Sequence, residues 1–400
     1  MSNGFLIVEV YDNNIKAPLE SAVVQILGEN TDIIVQTNEN GKTESITLAA
    51  PDIKYSLEPQ KDVRPYSIYS LKISKPGYKT FIIEGVEVFP SETSLQKVFL
   101  EKGQDIEYEE LPPHVLWGNY PQKIDEDILL NNNVRNRVYP EVFIPEYIIV
   151  HDGVPSNSSA RNYIVSFPDY IKNVASSEIY STWPLETIKA NVLAIISFTL
   201  NRVFTEWYPS RGYNFTITSS TAYDQKYTQG RTIFLPISEV VDDIFNNYLS
   251  LTDSQVPFFA QYNDGVKTNN KGWLSQWGSK SLGDQGYSAL RIVRYYYDPN
   301  MTIKKANDII GLPLSFPGFN LSKGSCGEYV QKIQNELNRI SNNYPAIPKI
   351  IPANGQYNDS TKKSVEKFQQ VFNLPITGII NFATWYKISY IYVAVSKMIN

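Results

Sequence analysis

The chain has 400 residues, 42% of them hydrophobic and 19% charged, with a formal net charge of -5 at pH 7. That is enough apolar material to offset chain entropy over two or three domains, which excludes extended disorder, while the negative balance and the lack of a dense Lys/Arg stripe exclude nucleic acid as the expected partner. One cysteine, Cys326, and two histidines, His114 and His151, exclude a disulfide framework and leave metal chemistry to carboxylates, so no metal and no other cofactor is expected.

The N-terminal run Met1 to Val10 has no basic segment, and Glu9 interrupts its apolar stretch, so it does not read as a secretory signal. The apolar runs 192–196 and 390–395 fall far below the ~20 residues of a membrane span. From residue 4 to about 101 the chain reads as strands: 5–11, 22–27, 70–73, 81–83 and 98–100. Turn residues at Asn38-Glu39-Asn40-Gly41 and Pro76-Gly77 separate them. This predicts a small β-sandwich over 1–101. The strings 18–24, 37–41 and 73–78 (PLESAVV, TNENG, ISKPGY) resemble the carboxypeptidase regulatory-like, or transthyretin-like, family. The resemblance implies an accessory domain and makes this part a candidate pro-region.

Residues 102–145 are rich in Glu, Pro and Asn, among them Glu107, Glu109, Glu110, Pro112, Pro113 and Asn131 to Asn133. This favours an exposed connector, with Trp117 and Tyr120 as apolar anchors if it is an ordered arm.

Mixed helices and strands are expected over 146–305, the domain that carries the chemistry. Ile171, Val174, Ala175 and Glu178 fall on one face of a helix, so a carboxyl group points where apolar side chains point. Burial disfavours the charged form, the condition for a carboxyl group to act as a general acid near neutral pH. The alternative is a structural Glu paired with Lys189 or Arg202. In a second helix, Ser181 and Thr182 offer capping oxygens, Pro184 and Glu186 suit the first turn, and Leu185, Ile188, Val192, Ile195 and Val203 form a core stripe.

The string from Phe167 to Ala194, with its Ser177-Glu178 and Trp183-Pro184-Leu185-Glu186, resembles the first SpoIID/LytB motif. Residues 274–287 (LSQWGSKSLGDQGY) and 294–297 (RYYY) match the distal one. This resemblance implies that Glu178 is the catalytic acid/base of a peptidoglycan lytic transglycosylase. Gln225, Lys226 and Tyr227, which resemble the family's middle Gln-containing strand, would bind sugar hydroxyls or N-acetyl groups together with Ser275, Gln276 and Trp277. Trp183, Trp273 and Trp277 are stacking candidates, although core packing is the commoner use of Trp. One carboxyl group suffices for the transglycosylase reaction, whereas a hydrolase needs a second; Asp224 and Asp264 are the candidates. Some SpoIID-type enzymes hold zinc by Cys and His near the distal motif. Here residues 259–273 contain Asn263, Asn269 and Asn270 and neither Cys nor His, so hydrogen bonds are expected in place of the metal tether.

A second connector, 306–320, contains Pro313, Pro317 and Gly318. Beyond it, over 321–395, Tyr329, Val330, Ile333 and Leu337 show helical spacing, repeated by Val365, Phe368 and Phe372. The stretches 323–337, 354–369 and 374–385 resemble the three-helix peptidoglycan-binding module, with Gly355 and Gly378 in turns, Phe368 and Trp385 in the core and Cys326 incidental. The whole is a multidomain α+β chain: N-terminal β-sandwich, central mixed α/β SpoIID-like domain and C-terminal helices. Its order is similar to that of spore cortex-lytic enzymes of the SleC type. That resemblance implies peptidoglycan of the spore cortex as substrate during germination, a location in the cortex and coat region reached without a signal peptide, and activation by a Csp-type subtilisin-like protease, with 102–145 the natural place to cut. Two rivals stand beside it: a non-catalytic wall-binding scaffold, and a phage- or bacteriocin-associated wall-penetrating component.

Overall fold

A computed structural model describes residues 2–59, 63–114, 116, 141–306, 309–310 and 316–396. Trp117, Tyr120 and Pro313 lie outside the described residues. The chain falls into two compact units: residues 1–50, 66–111 and 312–400 form one, and residues 51–65 and 112–311 the other.

The first unit begins with β1 (Ser2–Asp12), β2 (Val23–Gly28), β3 (Thr31–Gln36), β4 (Ile46–Ala50), β5 (Ser67–Ser74), β6 (Thr80–Val88), β7 (Thr93–Leu100) and β8 (Ile106–Glu110). β1 pairs antiparallel with β4 and parallel with β7. The second sheet runs β3-β2-β5-β6-β8. Alternate residues of the facing strands, among them Leu6, Val8, Val10, Val24, Ile26, Leu71 and Ile73, form one core, as the period of 2 requires. Gly41 closes the 38–41 turn at φ +73, where a Cβ would lie 2.5 Å from the Val10 carbonyl oxygen, so this turn needs glycine. Composition reads 102–145 as a connector, but residues 106–110 extend the second sheet, pairing parallel with β6. Their Ile-Glu-Tyr-Glu-Glu sequence alternates between exposed and half-buried, which suits an acidic edge strand.

The second unit contains α1 (Lys54–Leu57), β9 (Ile144–Pro145), β10 (Tyr147–His151), β11 (Asn162–Ser166), α2 (Phe167–Glu178), α3 (Leu185–Phe204), β12 (Ile217–Thr218), β13 (Ile233–Phe234) and α4 (Leu235–Ile244). It continues through β14 (Asn247–Leu251), β15 (Tyr262–Asn263), β16 (Leu274–Ser275), α5 (Gln276–Asp284), α6 (Ala289–Tyr296), β17 (Met301–Lys305) and β18 (Ile309–Ile310). β10 lies between β11 and β12; β14 pairs with β17, β15 with β16 and β9 with β18. α3 is apolar on nearly every side and buried along most of its length, so it is the post around which the other helices pack. Ile188, Val192 and Ile195 are buried as expected, whereas Leu185, at the helix start, is 55% exposed. The expected cap also differs: Pro184 is the N-cap and makes no side-chain cap bond. Thr182 Oγ1 turns instead to Ser56 Oγ at 2.8 Å.

The first unit is completed by α7 (Glu328–Ile340), α8 (Asp359–Val371) and α9 (Phe382–Ser396). Val330, Ile333, Leu337, Val365, Phe368 and Trp385 are buried, while Cys326 is exposed. Asn358 caps α8 by accepting from the Thr361 N–H, and Asn381 accepts from the Thr384 N–H at the start of α9.

Candidate active site

Glu178 is the last residue of α2, a helix opened by Ser166, whose hydroxyl accepts from the Asp169 N–H, and by a first-turn proline. The carbonyl end of a helix carries partial negative charge and is unfavourable for a carboxylate. Three donors offset it. The Lys226 backbone N–H donates to Oε1 at 2.8 Å, the Tyr262 hydroxyl reaches the same oxygen at 3.4 Å, and Gln276 Nε2 donates to Oε2 at 3.2 Å. With Glu178 only 6% exposed, these three bonds fix its orientation. The alternative pairing with a cation is not formed: Lys189 lies 3.5 Å from Glu186, and Arg202 is paired with Asp224 at 2.8 Å.

Lys226 reaches Glu178 because α2 holds the segment that contains it. Asn173 Nδ2 donates to the Thr228 carbonyl at 2.7 Å, and Asn173 Oδ1 accepts from the Thr228 N–H at 3.0 Å. Side chains of α2 thereby take the backbone groups a strand partner would use, and residues 225–228 form no strand. This departs from the expected Gln-containing strand. Gln225 itself is fully buried: its Oε1 accepts from the Tyr170 and Thr199 hydroxyls, and its Nε2 donates to the Ile195 carbonyl. The amide is spent on the interior, not offered to a sugar. Burial, with Asp224 and Glu178 nearby, pushes the Tyr170 hydroxyl well above its usual pKa. Tyr227 stacks on Tyr170 at 5.9 Å and donates to Gln229.

The parallel register Tyr262↔Leu274 and Asn263↔Ser275 brings Tyr262 and Gln276 to the carboxylate from separate segments. Ser275, Gln276 and Trp277 then diverge. Ser275 Oγ caps α5 by accepting from the Gly278 N–H at 2.9 Å, and it also bonds Tyr296. Close packing here requires glycine on both sides: a Cβ would lie 1.7 Å from Ser275 Oγ at Gly265 and 2.0 Å from the Tyr296 hydroxyl at Gly278. Trp277 is buried against Trp183 at 4.9 Å and Tyr180 at 5.9 Å, and Trp183 Nε1 donates to the Ser56 carbonyl. Neither ring is an open stacking platform; Trp273 is half-buried.

The candidate second carboxylates have other duties. Asp224 accepts from Arg202, Tyr208 and both the backbone and side chain of Thr218. Asp264 Oδ1 accepts from the N–H groups of Val266, Lys267 and Thr268. Asp264 therefore ties the loop that asparagines were expected to tie: Asn269 and Asn270 are exposed, and Asn263 is buried with neither amide atom bonded among the described residues. No group of three His, Cys, Asp or Glu suited to a metal occurs among the described residues. His114 packs against Tyr180 and Phe234, and His151 stacks on Phe215 with Nδ1 against Asn162 Oδ1. Sequence reasoning missed Tyr262, because no spacing or charge pattern marks a lone tyrosine in the 259–273 string.

Residues 326–388 match the family model described as "Putative peptidoglycan binding domain", which supports a peptidoglycan-associated, cell-wall-directed protein. No curated protein matches the chain. Among solved structures it is similar to the Bacillus anthracis TIE protein, at 23% identity over 26% of this chain and 17% of that one, with a TM-score of 0.19. It is also similar to a type II Cohesin-X-Dockerin complex of Acetivibrio cellulolyticus, at 21% identity over 22% of this chain and 50% of that one, with a TM-score of 0.15. In both cases the likeness spans less than two thirds of the other chain. Among the described residues no helix is long and apolar enough to cross a membrane.

Proposed function

We propose that this chain is a peptidoglycan lytic transglycosylase that acts on spore cortex during germination, with Glu178 as general acid and then general base. The observation that carries this reading is the convergence of the Lys226 N–H, Tyr262 and Gln276 on one otherwise buried carboxyl group. Protonated Glu178 gives its proton to the glycosidic oxygen as the bond from that oxygen to the anomeric carbon breaks. The carboxylate left behind takes the proton of the muramic C6 hydroxyl, whose oxygen closes onto the anomeric carbon. The anhydro ring forms without water, and Glu178 ends protonated. Three donors stabilise the anionic stage between the two transfers. The C-terminal helices would hold the enzyme on its polymer, and a Csp-type subtilisin-like protease would activate it.

The test is product analysis. Full-length protein and Glu178→Gln are incubated with cortex and with vegetative sacculi, and released fragments are weighed by mass spectrometry. Anhydro-muramic ends from the wild type that disappear in the variant are expected, with cortex preferred. Sacculus binding without released fragments would instead establish the second reading, a non-catalytic wall-binding scaffold, which the match of residues 326–388 to a binding module favours.

A further inference from the structure

In β1, Leu6, Val8 and Val10 fill the sandwich core. Glu9 points to the opposite face, yet it is only 5% exposed. Its Oε1 meets the Lys42 ammonium at 3.0 Å and accepts from Asn373 Nδ2 at 2.7 Å, a residue 364 positions away. Asn373 Oδ1 accepts from Lys42 Nζ at 2.8 Å, which closes a ring of three side chains. The Tyr11 hydroxyl adds a bond to Glu9 Oε2 at 3.2 Å. Burial opposes ionisation of Glu9, but Lys42, Lys97 and the Asn373 amide outweigh it and draw its pKa from 4.5 down to about 2. Asn373 follows α8 at φ +55, a conformation Asn tolerates. Beside it, Tyr344 packs on Phe372 and donates to the Lys16 carbonyl at 3.2 Å.

We propose that the sandwich and the C-terminal helices form one obligate head, joined at Glu9, Lys42 and Asn373, which stays assembled after the chain between them is cut. A desolvated carboxylate and ammonium are costly apart and satisfied together. The Asn373 amide uses its donor on one and its acceptor on the other, so the joint discriminates against any looser docking. A cut in the connector therefore leaves the sandwich in place, and the N-terminal part is a standing half of the wall-binding head.

Two measurements on the full chain decide this. With a site-specific protease sequence inserted after the exposed Gly318, so that the C-terminal helices are severed from a fragment that keeps the sandwich, the cut protein is passed over a native sizing column. Co-elution of both fragments is expected, and their separation would overturn the proposal. The second is an exchange of charge. Asn373→Asp sets a second carboxylate beside Glu9 in place of the amide that bridges it to Lys42, and lowers the melting midpoint by about 5 °C or more. Adding Glu9→Gln restores one carboxylate and one amide around Lys42 and recovers at least half of that loss. If the two losses simply add, the ring does not form in solution and the joint is wrongly assigned.

Discussion

Replacing Asp224 by Ala separates a structural carboxylate from a reacting one. Asp224 accepts from Arg202 Nε at 2.8 Å, the Thr218 N–H at 2.9 Å, the Thr218 hydroxyl at 2.7 Å and the Tyr208 hydroxyl at 2.5 Å. Arg202 is 2% exposed, and removing one partner of a buried ion pair costs about 3–5 kcal/mol. The orphaned Thr218 N–H adds roughly 1 kcal/mol. Arg202 keeps the ring faces of Trp207 at 4.5 Å and Phe259 at 4.6 Å, but these contacts are common to both proteins and offset none of the loss. The net loss is about 4–6 kcal/mol, or a fall of roughly 10–15 °C in melting midpoint for a unit of this size. Urea unfolding followed by tryptophan fluorescence reads the stability, while fragment release is assayed well below the midpoint. Lower stability with release retained by the folded fraction is expected. A loss under about 1 kcal/mol with release abolished in folded protein would make Asp224 a reacting group and refute the argument from its four bonds.

Other perturbations address the site and the head. Gln276→Met and Tyr262→Phe each free the Glu178 carboxyl group to turn, so fragment release should fall about 10- to 100-fold while sacculus binding, measured by pull-down, stays unchanged. Gly278→Ala drives a methyl group to 2.0 Å from the Tyr296 hydroxyl and should cost about 1–3 kcal/mol; calorimetry should show part of that recovered with Tyr296→Phe. Glu9 supplies a pH dependence. Because its folded pKa is depressed from 4.5 to about 2, its contribution is present above about pH 4.5 and is lost as pH falls toward 2. The difference corresponds to roughly 3 kcal/mol, and urea midpoints between pH 5 and 2 should fall less steeply in Glu9→Gln.

The face of α2 is legible in the sequence because Ile171, Val174, Ala175 and Glu178 obey the helical period, and all four are buried. The surroundings of the carboxylate are not. Tyr262 comes from 84 residues away, and Lys226 contributes a backbone N–H from 48, a group no side-chain motif encodes. Adjacency also misleads at Ser275-Gln276-Trp277: a strand-to-helix junction sends the hydroxyl to a cap, the amide to Glu178 and the indole into the core. In the sandwich, the acidity of residues 106–110 hides a period-2 edge strand. Glu9 reads as an interruption of an apolar run, since nothing local announces that the far side of β1 is covered as well.

The joint between Glu9 and Asn373 also sets a timetable for synthesis. Ribosomes add about 5–20 residues per second, so the 364 residues between the two partners keep Glu9 waiting roughly 20–70 s. Through that interval the face that Asn373 and Tyr344 later cover stays open. Lys42, only 33 residues behind Glu9, emerges early enough to neutralise the carboxylate in the meantime. The charged face keeps the waiting surface wet, which a row of leucines in its place would not do, and α7 to α9, once made, then dry it.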